Sequence, residues 1–205
     1  MIQVSKYLDN VYVLQDRAMS NAILVIGKKR ALLFDTGCGM DNIKETVESI
    51  TDLPLLVILS HGHFDHIGAA GELVRKLGIK DCYLNSRDRE LFYSRDNAWP
   101  PYIPPAENLP EVNGTINYPE FETIFTPGHT PGGVSFYFKQ IPALFSGDTL
   151  FAGSVGRTDF PGGNTGDLLK SIQEKLMILP DDTPVYPGHG PATSIGREKE
   201  VNPYF

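Results

Sequence analysis

The sequence is poor in cysteine, in basic stretches and in long apolar runs. Its 205 residues include only two cysteines, Cys38 and Cys82, too few for the disulfide framework of a small secreted protein. The formal net charge is −7, and the densest basic cluster covers only residues 28–30. Because phosphate binding needs a basic surface, we do not expect nucleic acid as a partner.

No apolar stretch approaches the roughly 18 residues that a membrane span requires. The first residues also lack the charged start, apolar run and cleavage site of a signal peptide. We therefore expect a cytoplasmic protein with reduced thiols and no membrane partner. Hydrophobic residues make up 41% of the chain, which is enough for a sizeable core. The expected organisation is one domain over residues 1–205.

Short apolar runs bounded by turn residues predict β-strands, and apolar residues at helical spacing predict helices. Strands are expected over residues 11–14, 22–26, 31–34, 55–59, 123–125, 134–138, 143–145 and 184–186. Helices are expected over residues 41–50, 67–77, 86–94, 168–176 and 194–201, with Asp41 as the N-cap of the first. Two groups of strands, each followed by helices, indicate two packed sheets with helices outside.

Each of the five histidines follows a strand-like run and lies in a turn-like context; they are His61, His63, His66, His129 and His189. Neutral imidazole and carboxylate are the usual protein ligands of zinc at catalytic sites. In a loop that leaves a strand, His61 and His63 can point one way toward one metal ion. Asp65 and His66 then face the other way, toward a second ion. Because four ligand-type residues fall within six positions, we predict a metal site.

Two aspartates that follow predicted strands have two possible roles each. Asp148 either caps its own turn or bridges two metal ions, and we favour the bridge because two ions need a shared anion. Asp35 either caps a turn or accepts a hydrogen bond that orients a ligand histidine. The residue types and their positions leave both roles of Asp35 open.

In order and spacing, residues 60–66, His129, Asp148 and His189 resemble the metal motifs of the metallo-β-lactamase superfamily. Residues 147–163 and the end of the chain resemble the small, single-domain bacterial members of the glyoxalase II (hydroxyacylglutathione hydrolase) group. The resemblance implies an α/β (α+β) fold, an αββα sandwich of two mixed β-sheets flanked by helices. The chain stops about where the C-terminal helical domain of larger glyoxalase II enzymes would begin.

The resemblance also implies two divalent metal ions, with zinc as the default and iron or manganese as alternatives for the same ligands. The first ion would be bound by His61, His63 and His129. The second would be bound by Asp65, His66 and His189. Asp148 would bridge the two, and Asp65 and Asp148 would be the catalytic carboxylates.

The reaction implied is thioester hydrolysis, in which the ions lower the pKa of a shared water and the resulting hydroxide attacks the thioester carbonyl. The expected substrate is a small-molecule thioester, with glutathione as a candidate thiol carrier. The resemblance implies that Arg157 binds the substrate. The alternative is a structural ion pair between Arg157 and Asp159. The sequence indicates no oligomeric state.

Several other activities compete with this interpretation. A lactonase stays open, because a lactone and a thioester present similar carbonyls. A persulfide dioxygenase, with a single iron bound by part of the same ligand set, also resembles this chain. Nucleases are disfavoured by the acidic balance, and an exported β-lactamase by the lack of a secretion signal. A purely structural zinc is disfavoured because structural sites are usually closed and rich in cysteine.

Overall fold

The computed structural model describes residues 1–79, 81–116 and 118–205. These residues form two compact units, Met1–Leu84 with Arg89–Gly114 and Asn85–Asp88 with Thr115–Phe205. Each unit contains one mixed β-sheet together with helices, so the expected fold class of two mixed sheets flanked by helices is confirmed. Across the described ranges, no helix has both the length and the apolar character that crossing a membrane requires.

The first unit is built on a six-stranded sheet whose strands follow one another in chain order. They are β1 (Gln3–Leu8), β2 (Val11–Gln15), β3 (Asn21–Ile26), β4 (Ala31–Phe34), β5 (Leu55–Ile58) and β6 (Cys82–Tyr83). Neighbours from β1 to β4 are antiparallel, and β4, β5 and β6 are parallel. Because β4 and β5 run in the same direction with Phe34 opposite Ile58, the residues after both strands meet at one sheet edge.

The helices of this unit are α1 (Ile43–Ile50), α2 (Phe64–Ile67), α3 (Ala70–Leu77) and α4 (Arg89–Tyr93). The prediction of Asp41 as the first N-cap was wrong. Asn42 caps α1 by accepting a hydrogen bond from the Glu45 N–H at 3.2 Å. The Asp41 carboxylate instead accepts hydrogen bonds from Arg17 and from the N-terminal ammonium group.

The stretch predicted as one helix over residues 67–77 contains a break between α2 and α3. The Gly68 N–H donates to the Gly37 carbonyl at 2.9 Å, a tertiary contact that a periodicity argument does not detect. Helix α3 ends at Gly78, whose φ of 62° lies in the left-handed region that a glycine after a helix commonly adopts. The core of the unit packs these helices on the sheet through fully buried residues that include Leu24, Leu33, Val57, Leu73 and Phe92.

The second unit is built on a five-stranded sheet in the order β13-β12-β9-β8-β7. Its strands are β7 (Glu122–Phe125), β8 (Val134–Phe138), β9 (Ala143–Gly147), β12 (Pro184–Pro187) and β13 (Thr193–Ser194). A separate hairpin joins β10 (Leu150–Phe151) to β11 (Ser154–Val155). The pair β9–β12 is parallel and the other neighbours are antiparallel, so this sheet is also mixed.

The helices of the second unit are α5 (Thr165–Ser171), a π-helical continuation (Ile172–Leu176) and α6 (Ile195–Val201). The predicted helix over residues 168–176 therefore begins earlier, where Asn164 accepts a hydrogen bond from the Asp167 N–H. The predicted helix over residues 86–94 is divided, because a 3-10 helix (Ser86–Asp88) belongs to the second unit and α4 to the first. Leu144, Leu168, Leu176, Val185 and Ile195 are fully buried in the core of this unit.

Candidate metal centre

The first unit gathers four of the predicted metal ligands in the loop after β5 and at the start of α2. The ring centroids of His61 and His63 lie 5.0 Å apart, and those of His61 and His66 lie 4.2 Å apart. The Asp65 Oδ2 atom lies 3.8 Å from Nε2 of His66. All three imidazoles are buried. We call these four residues the first cluster.

Gly62, between two of these histidines, allows close packing against α4. A Cβ atom at this position would lie 3.3 Å from the side chain of Leu91 and from the backbone nitrogen of Phe92. Contacts of that length are tighter than ordinary van der Waals packing, so a side chain would push the loop away from α4. The glycine therefore allows the first cluster to lie close to the helix.

Asp35 lies beside the first cluster because it follows β4, the parallel neighbour of β5. One carboxylate oxygen accepts a hydrogen bond from the Ser60 N–H at 2.7 Å. The other lies 2.7 Å from the Ser60 hydroxyl and 2.9 Å from Nδ1 of His66. Because a carboxylate only accepts, His66 carries its hydrogen on Nδ1 and presents the Nε2 lone pair. The contact is the one expected of a residue that orients a ligand; that role stays a prediction.

Ser60 is a residue of this site that the sequence analysis missed. Its hydroxyl donates to Asp35, so the remaining lone pairs of the oxygen accept from Nδ1 of His61 at 3.0 Å. His61 therefore also presents Nε2. The signal in the sequence was a hydroxyl residue directly before the first histidine, at the end of a strand parallel to the one that precedes Asp35.

The second unit gathers the other three predicted ligands around one carboxylate. The Asp148 Oδ2 atom lies 3.6 Å from Nε2 of His129 and 3.5 Å from Nε2 of His189. The topology accounts for this arrangement, since Asp148 and His189 follow the parallel strands β9 and β12. His129 precedes β8, whose antiparallel pairing with β9 places its first residues near the end of β9. We call these three residues the second cluster.

The orientation of His129 is fixed by main-chain and loop contacts. Its Nδ1 atom lies 2.7 Å from the carbonyl oxygen of Arg157. A carbonyl only accepts, so Nδ1 carries the hydrogen and Nε2 presents its lone pair on the side of Asp148. The buried Asp88 carboxylate holds the loop after His129 by accepting from the Thr130 hydroxyl at 2.7 Å and from the Gly132 N–H. The sequence analysis assigned no role to Asp88.

The guanidinium group of Arg157 pairs with a neighbouring carboxylate. Its Nε and Nη2 atoms each donate to Asp159 at 2.7 Å, and the group stacks 4.0 Å from the ring centroid of Phe160. This bidentate pair lowers the pKa of Asp159 to about 2. The structural alternative for Arg157 is therefore present in the structure, and the substrate-binding role stays a prediction.

Both clusters fit the chemistry of divalent metal ions. His61, His66 and His129 each have Nδ1 in contact with a protein oxygen, which leaves Nε2 as the donor atom. Asp65 and Asp148 add carboxylate oxygens next to imidazoles within their own units. Neutral imidazole with carboxylate suits zinc, iron and manganese. The five histidines all belong to these two clusters.

Comparison with known sequences identifies relatives along nearly the whole chain. The sequence model described as the metallo-beta-lactamase superfamily matches residues 16–189. The probable metallo-hydrolase YqgX of Bacillus subtilis (strain 168) is 39% identical over 195 residues, covering 91% of this chain and 92% of the relative. The hydroxyacylglutathione hydrolase GloC of Haemophilus influenzae is 35% identical over 193 residues, covering 87% of this chain and 88% of the relative.

Solved structures with the same fold include a di-iron protein and a β-lactamase. The crystal structure of TTHA1623 in a di-iron-bound form is 37% identical with a TM-score of 0.80, covering 91% of this chain and 95% of that chain. The BLEG-1 B3 metallo-beta-lactamase is 32% identical with a TM-score of 0.80, covering 100% of this chain and 99% of that chain. One structure with this fold therefore binds two iron ions, and another is named as a β-lactamase.

Proposed function

Because the chain belongs to the metallo-beta-lactamase superfamily and is a metal-dependent hydrolase of it, we propose that it cleaves thioesters with two metal ions. The substrate proposed is a small-molecule acyl thioester, with glutathione as the first carrier to test. Zinc is the default metal, and the di-iron form of a 37% identical structure makes iron the first alternative.

The observation that carries the proposal is the position of Asp148 in the second cluster. Two imidazoles turn Nε2 toward the same carboxylate oxygen at 3.6 and 3.5 Å, an arrangement suited to a carboxylate shared by two ions. The two clusters together contain seven ligand-type side chains, which are too many for one tetrahedral ion. The named activity of the Haemophilus relative supports the choice of a thioester.

Divalent ions bound by these residues would lower the pKa of water and polarise a substrate carbonyl. The chain itself supplies orientation and proton handling. Nδ1 contacts fix the imidazoles of His61, His66 and His129 before any substrate arrives, so little reorganisation of these three is needed during reaction. Asp148 would accept a hydrogen bond from the attacking water. Since all five histidines lie in the two clusters, none is left as the general base of a serine-type triad.

The direct test is a substrate screen on purified protein whose metal content has been quantified. S-lactoylglutathione, simple acyl thioesters, lactones, a cephalosporin and glutathione persulfide would be compared, with an oxygen electrode for the last. We expect thioester cleavage without oxygen uptake. Asp148→Asn should abolish it, whereas Asp167→Asn, at an exposed position in α5, should not. Rapid oxygen uptake without thioesterase activity would overturn the proposal in favour of a dioxygenase, and selective lactone cleavage in favour of a lactonase.

A further inference from the structure

One buried carboxylate supports two histidines, His61 and His66, which the family resemblance assigns to different ions. Asp35 contacts Nδ1 of His66 directly at 2.9 Å. Asp35 also contacts the Ser60 hydroxyl at 2.7 Å, and this hydroxyl lies 3.0 Å from Nδ1 of His61. Ser60 therefore links Asp35 to the imidazole of His61. All four residues are buried, so water does not compete for these hydrogen bonds.

The backbone of Asp35 adopts an uncommon conformation. Its φ of 62° lies in the left-handed region, which residues other than glycine adopt only rarely. Two backbone hydrogen bonds hold the conformation, from the Asp35 N–H to Ile58 at 2.9 Å and from the Ser60 N–H to the carboxylate at 2.7 Å. Asp35 is therefore fixed by β5, the strand that leads into the first cluster.

The direction of each hydrogen bond in the network follows from its acceptor. The Asp35 carboxylate accepts from both Ser60 and His66, so the Ser60 hydroxyl hydrogen points away from His61. Nδ1 of His61 must then be the donor to Ser60. Both histidines are thereby held in the tautomer that presents Nε2. Replacing Ser60 releases this constraint on His61, and replacing Asp35 releases it on both.

We propose that Asp35 and Ser60 are positioning residues that couple the two metal sites. Ser60 fixes the ligand of the first ion, His61, and Asp35 fixes the ligand of the second, His66, as well as Ser60 itself. This inference rests on the proposed assignment of the two histidines to two ions. It implies that loss of Ser60 weakens the first site selectively, whereas loss of Asp35 weakens both.

The test uses zinc-loaded protein and a chelator competition that resolves the removal of two ions. His63→Ala and His189→Ala mark the steps that belong to the first and second sites. We expect Ser60→Ala to lower the zinc affinity of the first site by about ten- to a hundredfold and that of the second site much less. Asp35→Asn should lower the zinc affinity of both sites by about that factor. Ser60→Thr keeps the hydroxyl and should restore most of the first-step affinity.

Ser135→Ala is the matched control, because Ser135 is a buried serine whose hydroxyl donates to the Ser146 carbonyl at 3.2 Å and lies 3.1 Å from the Thr126 hydroxyl. Among the residues that the structure describes, its hydrogen-bond partners include no histidine. Ser135→Ala should leave both steps unchanged. Ser60→Ala behaving like this control, or weakening both steps equally, would overturn the coupling. A wild-type protein that holds fewer than two zinc ions would instead overturn the proposed function, and the coupling with it.

A spectroscopic readout keeps the inference testable if a variant fails to fold. Long-range proton–nitrogen spectra of the zinc-loaded wild-type protein report which ring nitrogen carries hydrogen. We expect Nδ1–H for both His61 and His66, and a shift of the His61 signal alone in Ser60→Ala. Hydrogen on Nε2 of His61 in the wild-type protein would overturn the proposal, whatever the variants do.

Discussion

The main-chain carbonyl of Arg157 accepts a hydrogen bond from Nδ1 of His129 at 2.7 Å, whereas its side chain turns to Asp159. Arg157 therefore supports the second cluster through its backbone carbonyl. This contact does not depend on which side chain is present at position 157. A substrate carboxylate would have to compete with Asp159 for the hydrogen-bond donors of the Arg157 guanidinium group. The two parts of Arg157 can be separated experimentally.

Arg157→Ala should keep both metal ions and the fold, because it retains the carbonyl that holds His129. If the guanidinium binds substrate, KM should rise more than kcat falls. A lost charge-assisted hydrogen bond is worth about 1.5–3 kcal/mol, or roughly ten- to a hundredfold in kcat/KM. Arg157→Lys should recover only part of the lost kcat/KM, because lysine cannot reproduce the bidentate geometry of the guanidinium group. Steady-state kinetics, metal content and a melting curve measure these effects.

Asp159→Asn is the partner variant in this experiment. It removes the competing charge and should lower KM for an anionic thioester, with metal content unchanged. An unchanged KM in Arg157→Ala, together with a sharply lower melting temperature, would show that Arg157 is structural. An exposed ion pair contributes little to stability, so a large loss of stability is not expected from loss of the pair with Asp159 alone.

The number of bound ions is the second prediction. Elemental analysis should find close to two metal ions per chain when metal is sufficient, because the ligand set is too large for one ion. Prolonged treatment with a chelator should abolish thioesterase activity, and added zinc or ferrous iron should restore it. Anomalous diffraction would identify the ligands. A single ion bound by His61, His129 and Asp148 alone would indicate the dioxygenase instead.

The sequence predicted eight of the thirteen strands in the described residues, because these strands depend on local patterns; the ligand set stays a prediction. The strand over residues 31–34 matches β4 at both ends, since four consecutive apolar residues lie between turn signals. The choice of Asp41 over Asn42 as a cap failed because both are good capping residues and only the tertiary partner of Asp41, Arg17, decides between them.

The supporting residues of the site were harder to find, because their contacts join segments far apart in the chain. Asp88 holds a loop 42 and 44 residues away in the sequence, and no local pattern marks it. The support that Arg157 gives to His129 comes from its carbonyl, which every residue type has. In the sequence, Ser60 is recognisable only as a hydroxyl residue beside a histidine. The parallel register of β4 with β5 brings it next to Asp35.

The two cysteine thiols should be unreactive in the folded protein. Burial, with a hydrogen bond to Asp16, raises the pKa of Cys38 to about 12, and burial raises the pKa of Cys82 to about 12. Since the thiolate is the nucleophile, alkylation at pH 8 should be very slow in the native protein and complete after denaturation. Mass spectrometry after iodoacetamide treatment measures this. Rapid native labelling of Cys38 would contradict the assigned environment.

The same raised pKa values make a prediction about stability at high pH. The unfolded thiols ionise near their ordinary pKa of 9.0, whereas the folded thiols hold their protons up to about 12. The folded state is therefore favoured below pH 9, and this contribution is lost as the pH rises from 9 toward 12. Denaturant unfolding at a series of pH values should show the fall, and replacing both cysteines with alanine should reduce it.

The final prediction concerns Glu198, a buried carboxylate that fixes the last helix to the second unit. It accepts hydrogen bonds from the Gly153 N–H and the Asn202 side-chain amide at 2.8 Å each, and from the Thr193 hydroxyl. Glu198→Ala leaves these donors without their acceptor, and an unsatisfied buried group costs about 1–3 kcal/mol. We expect the free energy of unfolding to fall by at least about 2 kcal/mol in denaturant titrations. Glu200→Ala, at an exposed position of the same helix, should change it by less than about 0.5 kcal/mol. Equal effects of the two substitutions would show that the buried carboxylate does not stabilise this end of the chain.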